Sequence, residues 1–344
     1  MDHAHDELET LPGSGPMLQA KDFKSDQMVR WCPGCGDFAI LSAVQKIMPA
    51  LAVPKEKIVF VSGIGCSSRF PYYMNTFGFH SIHGRALTVA IGVKCSKPDL
   101  QVWVVTGDGD CLSIGGNHLL HTLRRNADLK ILLFNNRIYG LTKGQYSPTS
   151  ELGKKTKSSP MGTIETPLNP IAVALAAEAG FVARVVDTDL SFMGEVLSRA
   201  AKHKGSAFIE ILQNCVVFND GAWDSIAAKE VRDDTMVRVV HGKPLIFGKN
   251  KEKGIRLRGL EPEVVTFDQA NPPKDLLVHD EKAPSATLAG FLSRMGEPVA
   301  QGIFRAVERP TLHELMDGQI EQARAVPADL QKLLKGPETW TVAA

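Results

Sequence analysis

The chain has 344 residues, more than one typical domain, and its 39 Lys and Arg against 38 Asp and Glu leave a formal net charge of +1. With no polybasic face, that balance excludes electrostatic binding of nucleic acid or of an anionic membrane surface as an organising function. Residues 1–20 are acidic and proline-containing without an apolar core, unlike a signal peptide or a membrane span, so a cytoplasmic location with reduced thiols is expected.

In chain order, a tail over 1–25 leads into Trp31-Cys32-Pro33-Gly34-Cys35-Gly36 and a helical pattern over Phe38–Met48. A strand over Ile58–Val61 runs into Gly63-Ile64-Gly65-Cys66-Ser67-Ser68, and Gly78 to Ala86 is a Gly-punctuated turn holding His80, His83 and Arg85. A strand over Val102–Val105 ends in Gly107-Asp108-Gly109-Asp110, followed by a helix over Asn117–Arg125. The strand Ile131–Phe134 ends in Asn135-Asn136-Arg137-Ile138-Tyr139-Gly140. From Ser147 to Pro170 the text is rich in Ser, Thr, Lys and Pro without an apolar period, consistent with a loop that covers a site or with a plain surface excursion. Helix Ile171–Ala179, strand Phe181–Val186, helix Leu190–Lys202 and strand Phe208–Leu212 complete the alternation, and Gln213-Asn214-Cys215 follows the last strand.

Apolar strands alternating with helices predict an α/β fold with a doubly wound parallel sheet, whose ligands collect beyond the strand C-termini. The motifs all sit there. After about Asp233 the pattern breaks into short charged and proline-containing segments, ending in a helix with a capping box from Thr311 and Glu314. The expected organisation is a site-bearing domain over 26–233 and a C-terminal extension over 234–344 that covers an edge or contacts another subunit.

Asp108 and, 28 residues later, Asn136 end neighbouring strand-like runs. One carboxylate, one amide and the Ile138 carbonyl suit Mg²⁺, which takes few protein oxygens and fills its octahedron with phosphate and water, while Gly109 lets backbone N–H groups approach phosphate. The pair therefore reads as a diphosphate and Mg²⁺ clamp. Among the six cysteines, Cys32 and Cys35 form a close pair and Cys66 and Cys215 are distant singles. Four thiolates suit a [4Fe–4S] cluster; a redox pair, a zinc site and ordinary buried thiols are the other readings of the residues alone. Lys143, a few residues past the metal loop, is a candidate cation for a substrate carboxylate.

Gly-Asp-Gly followed by Asn-Asn resembles the thiamine diphosphate signature. The wider text, Gly107-Asp108-Gly109-Asp110 and Asn135-Asn136-Arg137-Ile138-Tyr139-Gly140-Leu141-Thr142-Lys143-Gly144-Gln145, is similar to the β subunits of 2-oxoacid:ferredoxin oxidoreductases, over roughly Arg30 to Asn219 and most like the longer type associated with 2-oxoglutarate. The resemblance implies the diphosphate-binding type of thiamine domain, with Mg²⁺ on Asp108, Asn136 and Ile138 and one [4Fe–4S] cluster on Cys32, Cys35, Cys66 and Cys215. Ile64, Gly65, Cys66, Ser67, His83, Gly109, Asp110, Gly140 and Leu141 would line the cofactor, and His83 and Lys143 would act in catalysis, with Lys143 on the substrate. Cys95 and Cys111 match no ligand position and are expected to pack; His80, His118 and His121 are expected to be structural. The implied reaction is oxidative decarboxylation of a 2-oxoacid, 2-oxoglutarate first, to its coenzyme A ester with electrons passed to ferredoxin. A partner α subunit would supply the activating glutamate and the coenzyme A site, because Glu178 and Glu210 fall in a helix and a strand interior. Pyruvate as substrate, and a non-redox thiamine decarboxylase or carboligase, are the alternatives.

Overall fold

The computed structural model describes residues 18–259 and 261–342, so residues 1–17 of the expected tail lie outside it. Its centre is an eight-stranded sheet built from β1 (Ile58–Ser62), β2 (Phe77–His80), β3 (Gln101–Gly107), β4 (Lys130–Asn135), β5 (Phe181–Val186), β6 (Ala207–Leu212), β7 (Met236–Val239) and β11 (Val299–Ala306). The order is β2-β1-β3-β4-β6-β5-β11-β7. The first six are mutually parallel, as the alternation predicts.

The last two lie beyond the predicted alternation. β11 runs antiparallel to β5 and carries β7 parallel to itself, so two strands from beyond residue 233 extend the main sheet. The rest of the extension includes an antiparallel sheet of β8 (Ile246–Phe247), β9 (Lys253–Arg258) and β10 (Glu261–Thr266). The capping box at Thr311 and Glu314 is present and opens a helix over Leu312–Arg324.

β1, β4, β5 and β6 are buried at every residue because helices cover both faces, which is why they read as continuous apolar runs. Successive side chains still point to opposite faces. Val59, Val61, Val102, Val104, Ile131 and Leu133 pack under α2 (Ala86–Ser96), α3 (Gly116–Arg124) and α4 (Pro170–Ala176). Ile58, Phe60, Trp103, Val105, Leu132 and Phe134 pack under α1 (Asp37–Ile47) and α5 (Leu190–Lys202). Burying each large side chain of these layers contributes about 1.5–3 kcal/mol, enough to hold the strand tips in fixed register. Cys111 lies in the first layer, as expected of a packing thiol, and Cys95 is half-buried on α2. α4 ends earlier than its pattern suggests, leaving Glu178 beyond the helix at φ 59°.

Candidate functional site

Four parallel strands release their motifs at one edge: Gly63 to Cys66 after β1, Asp108 after β3, Asn136 after β4 and Cys215 after β6. Two cavities open there. One is lined by Asp108, Gly109, Asn136, Ile138, Ser67 and His83, so the three proposed Mg²⁺ ligands meet in one space. Ile64, Gly65, Cys66, Asp110, Gly140 and Leu141 line it as well, which brings together every residue expected to contact the thiamine cofactor.

Asp108 is almost fully buried, and its Oδ2 accepts from Ser147 Oγ at 2.5 Å and Thr149 Oγ1 at 2.6 Å. Burial raises its pKa to about 6, the two hydroxyl contacts offsetting part of the effect. Asn136 Oδ1 accepts from the Ile138 N–H at 3.1 Å and thereby shapes the loop between those two ligands. Gly109 is required by close approach, because a Cβ there would lie 2.2 Å from the Tyr139 ring. Tyr139 in turn donates to the Gly109 carbonyl at 3.0 Å. Ser67 Oγ is buried without a partner among the described residues, a donor on the wall where a diphosphate would lie. The donor set fits Mg²⁺ and a diphosphate.

Asp110 lines this cavity and also holds its wall together. Its Oδ1 accepts from the N–H of Gly84 at 2.7 Å and of Ile64 at 3.2 Å, and its Oδ2 accepts from Thr106 Oγ1 at 2.7 Å. His83 Nδ1 approaches Oδ1 to 2.6 Å without the geometry of a hydrogen bond. Asp110 thus ties the Gly63–Cys66 and His83–Arg85 turns to the end of β3. Gly84, at φ 71°, makes the turn that presents its N–H to Asp110.

The second cavity, about 220 Å³, is lined by Cys32, Cys35, Cys66 and Cys215 together. The Cys32–Cys35 turn is pinned to the exit of β6 by Gly36 N–H donating to the Asn214 carbonyl at 3.2 Å and by Gln213 Nε2 donating to Cys35 Sγ at 3.4 Å. Trp31 Nε1 donates to the Cys66 carbonyl at 2.7 Å. A Cβ on Gly140 would stand 3.4 Å from Cys66 Sγ and 3.6 Å from Cys215 Sγ, so bare backbone lies against two sulfurs. Burial, then the Asp37 carboxyl and the neighbouring thiols, pushes Cys66 up to about 12 and Cys35 higher still. Arg69 beside Cys66 and the backbone at Asp37 beside Cys35 offset only part of this, and bound iron would stabilise the thiolates further. Among the described residues no three His, Cys, Asp or Glu side chains converge on a single-ion point. Four thiols around one cavity are a donor set that would fit a [4Fe–4S] cluster.

Sequence reasoning missed Asp37. It is buried, has an unpartnered Oδ2 and lines both cavities, and burial followed by the charge of Asp187 raises its pKa to about 7. Its position as the first residue of α1 masked it, since an acidic residue there is ordinary. Lys143 is not brought into the thiamine cavity: it is exposed, at φ 76°, and lines an outer basin with Lys155, Lys157 and Phe218. The loop from Ser147 divides in function, with Ser147, Thr149 and Ser150 buried against the site and Met161 and Ile164 exposed at its tip.

Fold and clamp together define a thiamine enzyme domain, and residues 63–211 match the family described as "Thiamine pyrophosphate enzyme, C-terminal TPP binding domain". The chain is 52% identical to the 2-oxoglutarate oxidoreductase subunit KorB of Mycobacterium tuberculosis, over 96% of this chain and 91% of that one. It is 40% identical to the 2-oxoacid:ferredoxin oxidoreductase subunit beta of Saccharolobus solfataricus, over 76% of this chain and 95% of the relative. Among solved structures, a 2-oxoglutarate:ferredoxin oxidoreductase from Magnetococcus marinus, with 2-oxoglutarate, coenzyme A and succinyl-CoA bound, superposes with a TM-score of 0.75 at 32% identity, covering 94% of this chain and 97% of that one. The chain belongs to the β subunits of the 2-oxoacid:ferredoxin oxidoreductases.

Proposed function

We propose that this chain, paired with an α subunit, oxidatively decarboxylates 2-oxoglutarate to succinyl-CoA and passes the electrons to ferredoxin, using thiamine diphosphate, Mg²⁺ and one [4Fe–4S] cluster. One observation carries the reading: Asp37, Cys66, Asn136, Gly140 and Leu141 line both cavities, so the diphosphate clamp and the four thiols share a wall. A non-redox thiamine enzyme has no use for four thiols at that wall. The relatives' names and the ligands of the Magnetococcus structure support the substrate, coenzyme A and acceptor.

Bound thiamine diphosphate supplies the carbanion chemistry. The chain's share is to hold Mg²⁺ through Asp108, Asn136 and the Ile138 carbonyl, to offer the diphosphate Ser67 Oγ and the backbone around Gly109, and to hold the cluster on Cys32, Cys35, Cys66 and Cys215. His83 faces the cofactor, oriented by Asp110. Among the described residues the carboxyl groups lining the thiamine cavity are Asp37, Asp108 and Asp110, so the glutamate that activates the cofactor comes from the partner. Every one of these residues falls within 26–233, while the extension closes the sheet edge and offers the partner a surface. No helix among the described residues is long and apolar enough to cross a membrane; the location proposed is the cytoplasm, where thiols stay reduced for cluster assembly.

The test is anaerobic co-expression with the α subunit, iron and thiamine analysis, and viologen reduction with 2-oxoglutarate, pyruvate and indolepyruvate. Iron-free protein or substrate-independent dye reduction would overturn the reading; preference for pyruvate would move the substrate within the family.

A further inference from the structure

The metal clamp is held by a segment that supplies none of its ligands. Ser147-Pro148-Thr149-Ser150 closes on itself, Ser150 N–H donating to the Ser147 carbonyl at 3.0 Å and Ser147 N–H to Ser150 Oγ at 2.8 Å. From this turn Ser147 Oγ and Thr149 Oγ1 both reach the same oxygen of Asp108, at the tip of β3. Ser150 Oγ donates to the Arg137 carbonyl at 2.6 Å, at the tip of β4. Arg137 stands between the proposed ligands Asn136 and Ile138 and is held at φ 56°, a conformation that non-glycine residues rarely adopt and that persists only where surroundings enforce it. Thr149 Oγ1 also lies 2.9 Å from Asn135 Oδ1. Asn135 is itself fixed, since its Nδ2 donates to Glu210 Oε1 at 2.7 Å and Arg184 Nε donates to Glu210 Oε2 at 2.7 Å. Asp108, Asn135, Ser147, Thr149, Ser150, Arg184 and Glu210 are all buried.

We propose that the Ser147–Ser150 turn is a hydroxyl bracket that sets the spacing of the two halves of the Mg²⁺ clamp, with Thr149 the positioning residue that makes the site selective for Mg²⁺ over larger cations. This rests on the assignment of Asp108, Asn136 and Ile138 as ligands. Mg²⁺ demands near-ideal octahedral geometry at short distances, whereas Ca²⁺ accepts irregular shells at longer ones. A clamp whose two sides are fixed by one short turn, anchored to a buried Glu210–Arg184 pair, is rigid enough to enforce the first. The same turn explains why the beginning of a hydroxyl-rich loop is buried while its tip is not.

The experiment uses the complete enzyme with its partner subunit, stripped of cofactor by chelation, and measures thiamine diphosphate bound as Mg²⁺ or Ca²⁺ is titrated. Thr149→Val raises the Mg²⁺ concentration for half-saturation by about tenfold or more, the range seen when an outer partner of a metal ligand is lost. The Ca²⁺ curve moves less than about twofold, because its shell tolerates the loosened geometry. Thr149→Ser restores the Mg²⁺ curve, and Ser147→Ala, the smaller excision, shifts it in the same direction as Thr149→Val. Equal shifts for both cations, or wild-type curves for Thr149→Val and Ser147→Ala, overturn the bracket. Asp108→Asn separates the premises: if it leaves the Mg²⁺ curve unchanged, the ligand assignment fails; if it abolishes the response while the hydroxyl variants behave as wild type, only the bracket fails.

Discussion

The two ends of the central sheet hold buried charges in opposite conditions. At the N-terminal edge, Asp128 pairs with Lys94 at 2.8 Å and Lys130 at 2.7 Å and accepts from Gly205 N–H at 3.2 Å. Burial alone would raise its pKa, yet the two lysines outweigh burial and pull it down to about 2. At the C-terminal edge Asp37, Asp108, Cys35 and Cys66 have no cation beside them able to offset burial, and all four are pushed upward. The first edge surrounds its carboxylate with two lysines and holds the fold. The second is short of positive charge where Mg²⁺ and iron are proposed to bind, so the function of this sheet is written in which of its buried acids lack a partner.

Removing Cys215 breaks the comparison most completely. Cys215→Ala is expected to lose essentially all iron and the electron paramagnetic resonance signal of the reduced enzyme, while thiamine diphosphate stays bound. Wild-type iron content would refute the ligand set. Asp108→Ala comes next: Mg²⁺-dependent thiamine retention should fall by more than about 100-fold, beyond the 10–100-fold typical of losing only an outer partner of a ligand. Gel filtration followed by cofactor analysis decides it, and equal occupancy in variant and wild type would remove the metal site.

At the opposite edge the same change of charge should act on stability alone. Asp128→Asn leaves two buried lysines without their carboxylate and is expected to cost about 3 kcal/mol, since breaking a buried pair strands the remaining charge. Denaturant unfolding of the apoprotein reads this, and the folded fraction should keep wild-type cofactor content. His203 lies in the same cluster, where burial and then the charge of Lys130 lower its pKa to about 4 from 6.5. A base whose folded pKa is depressed resists protonation only in the folded state. Its stability contribution is therefore full above pH 6.5 and is lost as pH falls toward 4, by about 3 kcal/mol at the limit. His203→Gln should flatten that acid limb; an unchanged limb would assign it elsewhere.

The sequence disclosed the strand tips well and the contacts between distant segments poorly, for physical reasons. Strand tips carrying Gly-Asp-Gly, Asn-Asn and lone cysteines are local text, and buried strands announce themselves as apolar runs, so β1, β3, β4, β5 and β6 were legible within a few residues. β2 was not, being a fully exposed edge strand of four residues with Gly78 inside it. Nor was α2, whose text Ala86-Leu87-Thr88-Val89-Ala90-Ile91-Gly92-Val93 is apolar on nearly all sides and shows no helical stripe. Contacts between distant segments left no local mark: the text from Ser147 was consistent with a site-covering loop or a surface excursion, and nothing in it showed that Ser147 and Thr149 meet Asp108 or that Asp110 ties two turns together.

Lys143 gives the smallest and sharpest probe, because it asks whether the uncompensated edge continues into the outer basin. Its backbone is held at φ 76° by its N–H donating to the Gly140 carbonyl at 3.0 Å, and no carboxylate of the described chain pairs with its ammonium group. We propose that the cation serves an anion brought to this face with the partner subunit in place, the distal carboxylate of 2-oxoglutarate. An exposed pair is worth about 1 kcal/mol or less, so Lys143→Ala should raise the KM for 2-oxoglutarate by about fivefold at most, with a smaller change for pyruvate. The substitution Lys143→Gly removes the same charge while relieving the left-handed backbone, since glycine adopts positive φ freely. If charge is what matters, the two variants raise KM equally and Lys143→Arg retains it. If Lys143→Gly matches wild type on both substrates while Lys143→Ala does not, the residue serves the loop's geometry, and the substrate's second carboxylate must be read by the partner.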